Sequence, residues 1–228
     1  MTRLPAEQTE PRGHFLAARD ALLRQIALHS VGPEPRILEA FRNVPRHEFV
    51  PSADRASSYQ DRALAIEHGQ TISQPSMIAV MLVALDVQPQ DRVLEVGAGS
   101  GYAAALLAEL AGEVYGVEIV PELATSAAQR LAALGYGNAH VFQGNGRAGL
   151  PRFAPFSKIL VSAGSAEVPA ALIEQLAPGG RIAIPVGGRE SQTLLVGDKG
   201  LDGSVRWKES VACIFVPLVG QNGRDGER

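Results

Sequence analysis

Val93-Leu94-Glu95-Val96-Gly97-Ala98-Gly99-Ser100-Gly101 is an apolar run that breaks into three alternating glycines. A short apolar run bounded by glycine reads as a buried strand, and glycines placed directly after it let the backbone turn tightly and start a helix. A second apolar run, Val114 to Val117, ends in Glu118, 21 residues after Gly97. A strand, a glycine turn, a helix and a second strand that delivers an acid are how an α/β fold holds an adenosine-bearing cofactor. The glycines bring backbone close to the ligand, and the carboxylate accepts from the ribose hydroxyls.

Outward from this pair the chain alternates in the βα manner. The pattern predicts strand 92–96, helix 101–111, strand 113–118, helix 121–134 with Pro121 at its start, and strand 139–143. It continues with strand 157–162, helix 167–176, a stop at Pro178-Gly179-Gly180, and strand 181–185. Thr193 to Val196 and Val211 to Leu218 flank an Asp202-Gly203 turn and read as an antiparallel pair closing one sheet edge. Upstream, Leu22, Leu23, Ile26 and Ala27 recur at helical spacing within 17–31. A second helix follows Pro33, with Ile37, Leu38, Phe41 and Val44. The expected fold is α/β and Rossmann-like: a mostly parallel sheet with helices on both faces, an N-terminal helical layer and a C-terminal antiparallel strand pair. One domain is expected over 14–220, with 14–75 supplying helices and a loop and 76–220 the cofactor-binding core. Residues 1–13 and 221–228 are mostly polar with Gly or Pro and are expected to be a disordered extension and tail.

Composition narrows the function. With 228 residues and 46% apolar content the chain can bury a full core, and a net charge of -3 leaves no basic excess for a phosphate backbone, so no nucleic-acid partner is expected. Cys213 is the single cysteine, which excludes an intrachain disulfide and a cysteine metal cluster, and it reads as a small buried hydrophobe in a strand. His14, His29, His47, His68 and His140 show no metal-ligand spacing, so no metal is expected. The longest apolar stretch, Met77 to Leu85, falls well short of the roughly 20 residues that span a bilayer. These readings predict a cytoplasmic monomer without a membrane partner, and Trp207 packed on the sheet edge.

Dinucleotide enzymes use G-x-G-x-x-G/A, in which the sixth position is small so that helix and strand pack closely around a pyrophosphate. Here that position is Tyr102. Glycines at the first, third and fifth positions resemble motif I of S-adenosylmethionine-dependent methyltransferases. The N-terminal segment is more specific. Val44-Pro45-Arg46-His47-Glu48-Phe49-Val50-Pro51, Tyr59-Gln60-Asp61 and Gly69-Gln70-Thr71-Ile72-Ser73-Gln74-Pro75 resemble the protein-L-isoaspartate O-methyltransferase family. The likeness runs from about residue 17 to Gly220 and includes Gly144-Asn145-Gly146, Ala177-Pro178-Gly179-Gly180-Arg181, Ile184-Pro185-Val186-Gly187 and Phe215-Val216-Pro217-Leu218.

That resemblance implies methyl transfer from S-adenosyl-L-methionine to the carboxylate of L-isoaspartyl residues in damaged proteins and peptides, a repair reaction. By analogy, the ester then closes to a succinimide whose hydrolysis returns some normal aspartate. A carboxylate, with a reference pKa near 4, needs no strong base, so alignment and exclusion of water are what the site must provide. A hydroxyl such as Ser73 or Thr71 suits that task, and the resemblance matches Ser73 to the family's active-site serine. The competing reading makes Thr71 and Ser73 caps of the next helix. For the cofactor, Gly97, Gly99, Ser100 and Gly101 form the loop, Glu118 takes the ribose, Ile119 packs on the adenine, and Asn145 with Gly146 meets its amino group. Asn145 reads equally as a turn residue between glycines. The chain departs from the family pattern at Glu67, Asn145, Ser157, Lys158 and Gly164 to Ala166. Those departures suit a related enzyme acting on another carboxylate, and a catalytically silent cofactor-binding protein is the rival of a different class.

Overall fold

Burial of the strand at 92–96 on both of its faces sets the architecture. The computed structural model describes residues 12–28 and 34–220. In chain order the helices are α1 (Arg12–Ala27), α2 (Pro35–Asn43), α3 (Pro75–Leu85), α4 (Tyr102–Ala108), α5 (Pro121–Ala133) and α6 (Ala170–Gln175). The strands are β1 (Leu64–Ala65), β2 (Thr71–Ile72), β3 (Arg92–Val96), β4 (Glu113–Glu118), β5 (Ala139–Gln143), β6 (Phe156–Val161), β7 (Leu176–Gly187), β8 (Gln192–Lys199) and β9 (Val205–Cys213). Strands β1 and β2 form a small antiparallel ribbon, and the others build one sheet in the order β5-β4-β3-β6-β7-β8-β9. Strands β3 to β7 pair in parallel, while β8 and β9 join antiparallel at the edge, as the sequence predicts.

Because successive strand residues face opposite ways, the sheet feeds two cores. Val93, Val114, Leu160 and Ala183 point into the larger core, with Ile26, Phe41, Leu82, Leu106 and Leu131 from α1 to α5. Leu94, Val96, Val117, Ile159, Val161, Ile182 and Ile184 point into the other, with Leu150 and with Leu172 of α6. Each fully buried aliphatic side chain contributes about 1.5–3 kcal/mol, so the N-terminal layer shares the main core rather than resting on it. Strands β4 and β5 lie on one side of β3, and β6 to β9 on the other. Such a reversal opens a crevice at the carboxyl ends of the strands.

Several expected boundaries are corrected. Pro178-Gly179-Gly180 does not end a helix ahead of a strand: α6 stops at Gln175, and β7 runs through the three residues as a bulge. Phe156 pairs with Leu176 and Lys158 already pairs with Arg181, so the extra residues loop out, helped by Gly179 at φ +76°. The helix expected over 167–176 starts only after Pro169, and the one expected over 101–111 spans Tyr102–Ala108. Val211 to Leu218 is not one edge strand, since β9 ends at Cys213 and the chain then returns across the sheet to bridge Gly164. Helix α1 takes in Arg12 and Gly13, which were expected in the extension. Residues 1–11 and 221–228, and the helix end expected at 29–31 together with His29, lie outside the described residues. No described helix is long and apolar enough to cross a membrane.

Candidate active site

At the end of β3 the chain needs backbone that side chains resist, and glycine supplies it. Gly97, Gly99 and Gly101 have φ of +83°, +52° and +87°. The amides of Gly97 and Ala98 donate to the Val117 carbonyl at 2.8 and 3.2 Å, stitching the loop to β4. One residue on, Glu118 is buried and its carboxylate spans both loops: Oε2 accepts from Gly99 N at 2.8 Å and Oε1 from Val120 N at 3.0 Å. An ionised carboxylate has about four acceptor sites, so two amides leave it capacity for ligand hydroxyls. Glu118 therefore holds the loop it serves. A cleft of about 530 Å³ opens here, lined among others by Gln70, Gly97, Gly99, Glu118, Ile119 and Gly146.

A second hollow of about 420 Å³ adjoins it, sharing Thr71, Gly97, Gly99 and Ser162 and adding Ser73, Glu95 and Ser100. The hydroxyl segment and the glycine loop, far apart in sequence, thus face one space. Gln70 to Gln74 is more ordered than a plain loop, since Thr71 pairs with Ala65 and Ile72 with Leu64. The capping alternative fails: Gln74 is the N-cap of α3 and makes no side-chain cap bond. Asp61 does that work instead, its Oδ1 accepting from Ser76 N at 2.8 Å and its Oδ2 from Gln74 Nε2 at 3.1 Å. From the other side Arg46, fully buried, donates to the Ser73 carbonyl at 2.9 Å.

Glu95 is a site residue that spacing did not single out. It sits mid-strand on β3 at 0% exposure, with Ser162 Oγ donating to its Oε1 at 3.3 Å and its Oε2 without a partner. Burial first, then the negative charge of Glu118, pushes its pKa up to about 8, against the Ser162 hydrogen bond. The only signal in the sequence was a charge inside an otherwise apolar central strand. Ser162 and the returning segment Val216 to Val219 were missed as lining residues as well, because non-local pairing brings them here.

Not every predicted residue faces the cleft. Gly101 seats α4 against α5, where a Cβ would come within 3.2 Å of Ala127 Cβ. Asn145 Oδ1 accepts from Arg147 N at 3.0 Å, so its carbonyl is partly engaged in the turn. The departures also fall into place. Ser157 and Lys158 lie at the start of β6, the sheet end opposite the cleft, where Ser157 Oγ bonds the Arg92 backbone. Glu67 is exposed, and its charge acts on Arg130, whose guanidinium holds the Ser100 carbonyl at 2.7 Å. The Gly164 turn is latched: its amide donates to Val216 O at 2.8 Å and its carbonyl accepts from Leu218 N at 2.7 Å. Cys213 ends β9 and packs against the larger core, but is only half-buried, at a groove beside Thr71 and Ser73. No group of metal-ligating side chains occurs among the described residues, and Trp207 lies against Gly197 on the edge strand.

Comparison with known proteins agrees with this geometry. A family model described as protein-L-isoaspartate(D-aspartate) O-methyltransferase matches residues 17–223. A protein-L-isoaspartate O-methyltransferase of Roseiflexus castenholzii is 51% identical over 206 residues, 90% of this chain and 94% of its own. One of Aeropyrum pernix is 47% identical over 213 residues, 92% of this chain and 82% of its own. A solved protein-L-isoaspartate O-methyltransferase superposes with a TM-score of 0.80 at 28% identity, over 90% of this chain and 67% of that one. A Plasmodium falciparum structure in complex with S-adenosyl-L-homocysteine shares the fold, with a TM-score of 0.76 at 22% identity over 88% of this chain and 98% of its own. With the glycine loop, the acid that braces it and the hydroxyl ribbon meeting in one cleft, and the match spanning nearly the whole chain, this protein belongs to the protein-L-isoaspartate(D-aspartate) O-methyltransferase family.

Proposed function

We propose that the chain methylates the carboxylate of L-isoaspartyl residues in proteins and peptides, with S-adenosyl-L-methionine as the methyl donor. The observation that carries this reading is the shared wall: Thr71, Gly97, Gly99 and Ser162 line both hollows, so a ligand on the glycine loop meets an acceptor held at the hydroxyls. The residues suit the cofactor. Gly97, Gly99 and Ser100 admit it to the backbone, Glu118 has acceptor sites left for the ribose, and Ile119 offers an apolar face beside Gly146. A side chain at Gly146 would meet Val96 Cγ1 at 2.7 Å and fill the cradle. Asn145 acts by holding the turn that presents Gly146 to the cleft, and Gly101 acts from behind by seating α4. The unpartnered Oε2 of Glu95 is an acceptor suited to the amino group of the cofactor's methionine part.

When bound, S-adenosyl-L-methionine supplies a methyl group on a sulfonium that passes in line to a carboxylate oxygen. The acceptor is ionised at neutral pH and requires no base from this chain. Ser73 and Thr71 hold one of its oxygens by hydroxyl donation and leave the other free to attack, and near-attack alignment of this kind is where much of the barrier is removed. A groove of about 590 Å³ runs on from these hydroxyls past Ala63, Met77 and residues 212–216, space for the acceptor's flanking residues. The protein is read as a cytoplasmic monomer whose partners are isoaspartyl proteins, with the unpaired thiol of Cys213 suited to a reducing compartment. Incubation with radiolabelled cofactor and matched isoaspartyl and aspartyl peptides tests the reading. Base-labile label is expected on the isoaspartyl peptide alone, and an unlabelled isoaspartyl peptide overturns it.

A further inference from the structure

Arg46 is a buried cation that no carboxylate neutralises by contact. It begins the 3₁₀ turn Arg46–Phe49 and is 0% exposed, and among the described residues no ion pair includes it. Its guanidinium donates to carbonyls of two segments, 58–62 and the Ser73 loop: Nε to Ser58 O at 2.7 Å, and Nη2 to Arg62 O at 3.5 Å and to Ser73 O at 2.9 Å, with Nη1 buried without a hydrogen-bond partner. Its Cζ also lies over the ring of Tyr102, 4.7 Å from the centroid. Burying a charge costs several kcal/mol, and no carboxylate in contact offsets that cost here, so packing alone gives no reason for arginine. The fork geometry does. Five donors fixed in one plane can tie several carbonyls together while the flat face stacks on a ring, which an ammonium cannot do.

The tied parts are the two halves of the site. Tyr102 is the first residue of α4, directly behind the glycine loop, and the Ser73 carbonyl belongs to the acceptor segment. Asp61 grips the far side of that segment through Gln74 and Ser76. We infer that Arg46 is a positioning residue for methyl transfer, bridging the Ser73 backbone to the Tyr102 ring so that the Ser73 hydroxyl keeps its register with the cofactor loop. This rests on the reading of Ser73 as the group that holds the acceptor. Arg46 touches neither ligand in this role. Its loss should therefore lower turnover and leave the cofactor cleft, built on Glu118 and the glycines, intact.

The test compares Arg46→Lys, Arg46→Met, Ser73→Ala and the double variant Ser73→Ala/Arg46→Lys with the parent. It reads kcat and KM on an isoaspartyl peptide, the Kd of S-adenosylhomocysteine by calorimetry, and Tm. Displacement of a reacting group by about 1 Å can cost on the order of 100-fold, so each Arg46 variant should lose about 10- to 100-fold in kcat while the Kd stays within about 2-fold. In the Ser73→Ala background the same Arg46→Lys change should cost less than about 3-fold, because coupled residues are not additive. The inference is overturned by an Arg46→Lys enzyme with parental kcat, by a Kd that weakens in step with kcat, or by losses that multiply in the double variant. If neither Arg46 variant folds, the residue serves folding alone and the inference also falls. Parental turnover in Ser73→Ala refutes the reading of Ser73 itself, whereas loss there with none in Arg46→Lys refutes only the role given to Arg46.

Discussion

Glu118 does two jobs with one carboxylate, and a single substitution separates it from both. Glu118→Ala removes the acceptor for Gly99 N and Val120 N as well as the contact proposed for the ribose. Hydrogen bonds to a charged group are worth about 1.5–3 kcal/mol, so S-adenosylhomocysteine should bind about 10- to 100-fold more weakly by calorimetry, and an unchanged Kd would refute the assignment. Glu95 behaves differently because it is held neutral. Its folded pKa, about 8, is raised above the ordinary glutamate value of 4.5, so the folded state keeps a proton that the unfolded state has lost between these values. The stability tied to that proton is fully present below pH 4.5 and is lost as pH rises through about 8, with a limiting slope of about 1.4 kcal/mol per pH unit. Glu95→Gln, which cannot ionise, should match the parent near pH 5 and exceed its Tm increasingly toward pH 8. Parallel Tm profiles in thermal unfolding would contradict this. Glu118 was legible in the sequence because two short strands and a helix fix its distance from Gly97. The role of Glu95 was not, since its surroundings depend on Ser162, 67 residues away just past the end of β6.

Among the elements, the segment that returns after β9 forms a wall of the cleft through pairings the sequence did not announce. Gln192 is buried, its Nε2 donating to Phe215 O at 3.1 Å and its Oε1 accepting from Phe215 N at 2.9 Å. Those bonds place its amide where a Cβ on Gly164 would approach to 2.3 Å. Gly164 and Gln192 are therefore matched, which gives one of the family departures a packing reason. Gly164→Ala should displace the Gln192 amide and leave buried polar groups unpaired, at a cost of about 1–3 kcal/mol in denaturant unfolding. Combined with Gln192→Ala, it should cost much less than the sum of the single changes, and simple additivity would exclude the coupling. The bulge in β7 teaches the same lesson. Pro-Gly-Gly punctuates a chain, but whether it ends a strand or loops out of one depends on the neighbouring strand, here β6, on which Phe156 and Lys158 fix the two ends of the bulge.

For the whole molecule, the cleft is walled by residues near 70, 97–99, 117–119, 146, 162–163 and 216–219, so a bound ligand ties the N-terminal ribbon, the sheet and the returning segment together. At a hundred times its Kd, S-adenosylhomocysteine adds about 2.7 kcal/mol to stability. For a chain of this length that is a rise of roughly 5–10 °C in Tm, which Glu118→Ala should largely abolish at the same ligand concentration. A parent protein whose melting ignores the ligand would overturn the cofactor assignment. By itself the sequence determined the α/β order of elements, the glycine loop with its acid, and the segment 70–75 that carries the family resemblance. These are local facts, set by hydrophobic period, glycine and residue spacing along one stretch of chain. The tertiary structure alone decided that Thr71 and Ser73 face the glycine loop, that Glu95 is buried with an oxygen left without a hydrogen-bond partner, that Arg46 contacts both halves, and that residues 216–219 close the cleft. The reason is physical: each of these depends on strand order and on contacts between residues distant in sequence, and no short-range pattern encodes which distant partner will desolvate a given side chain.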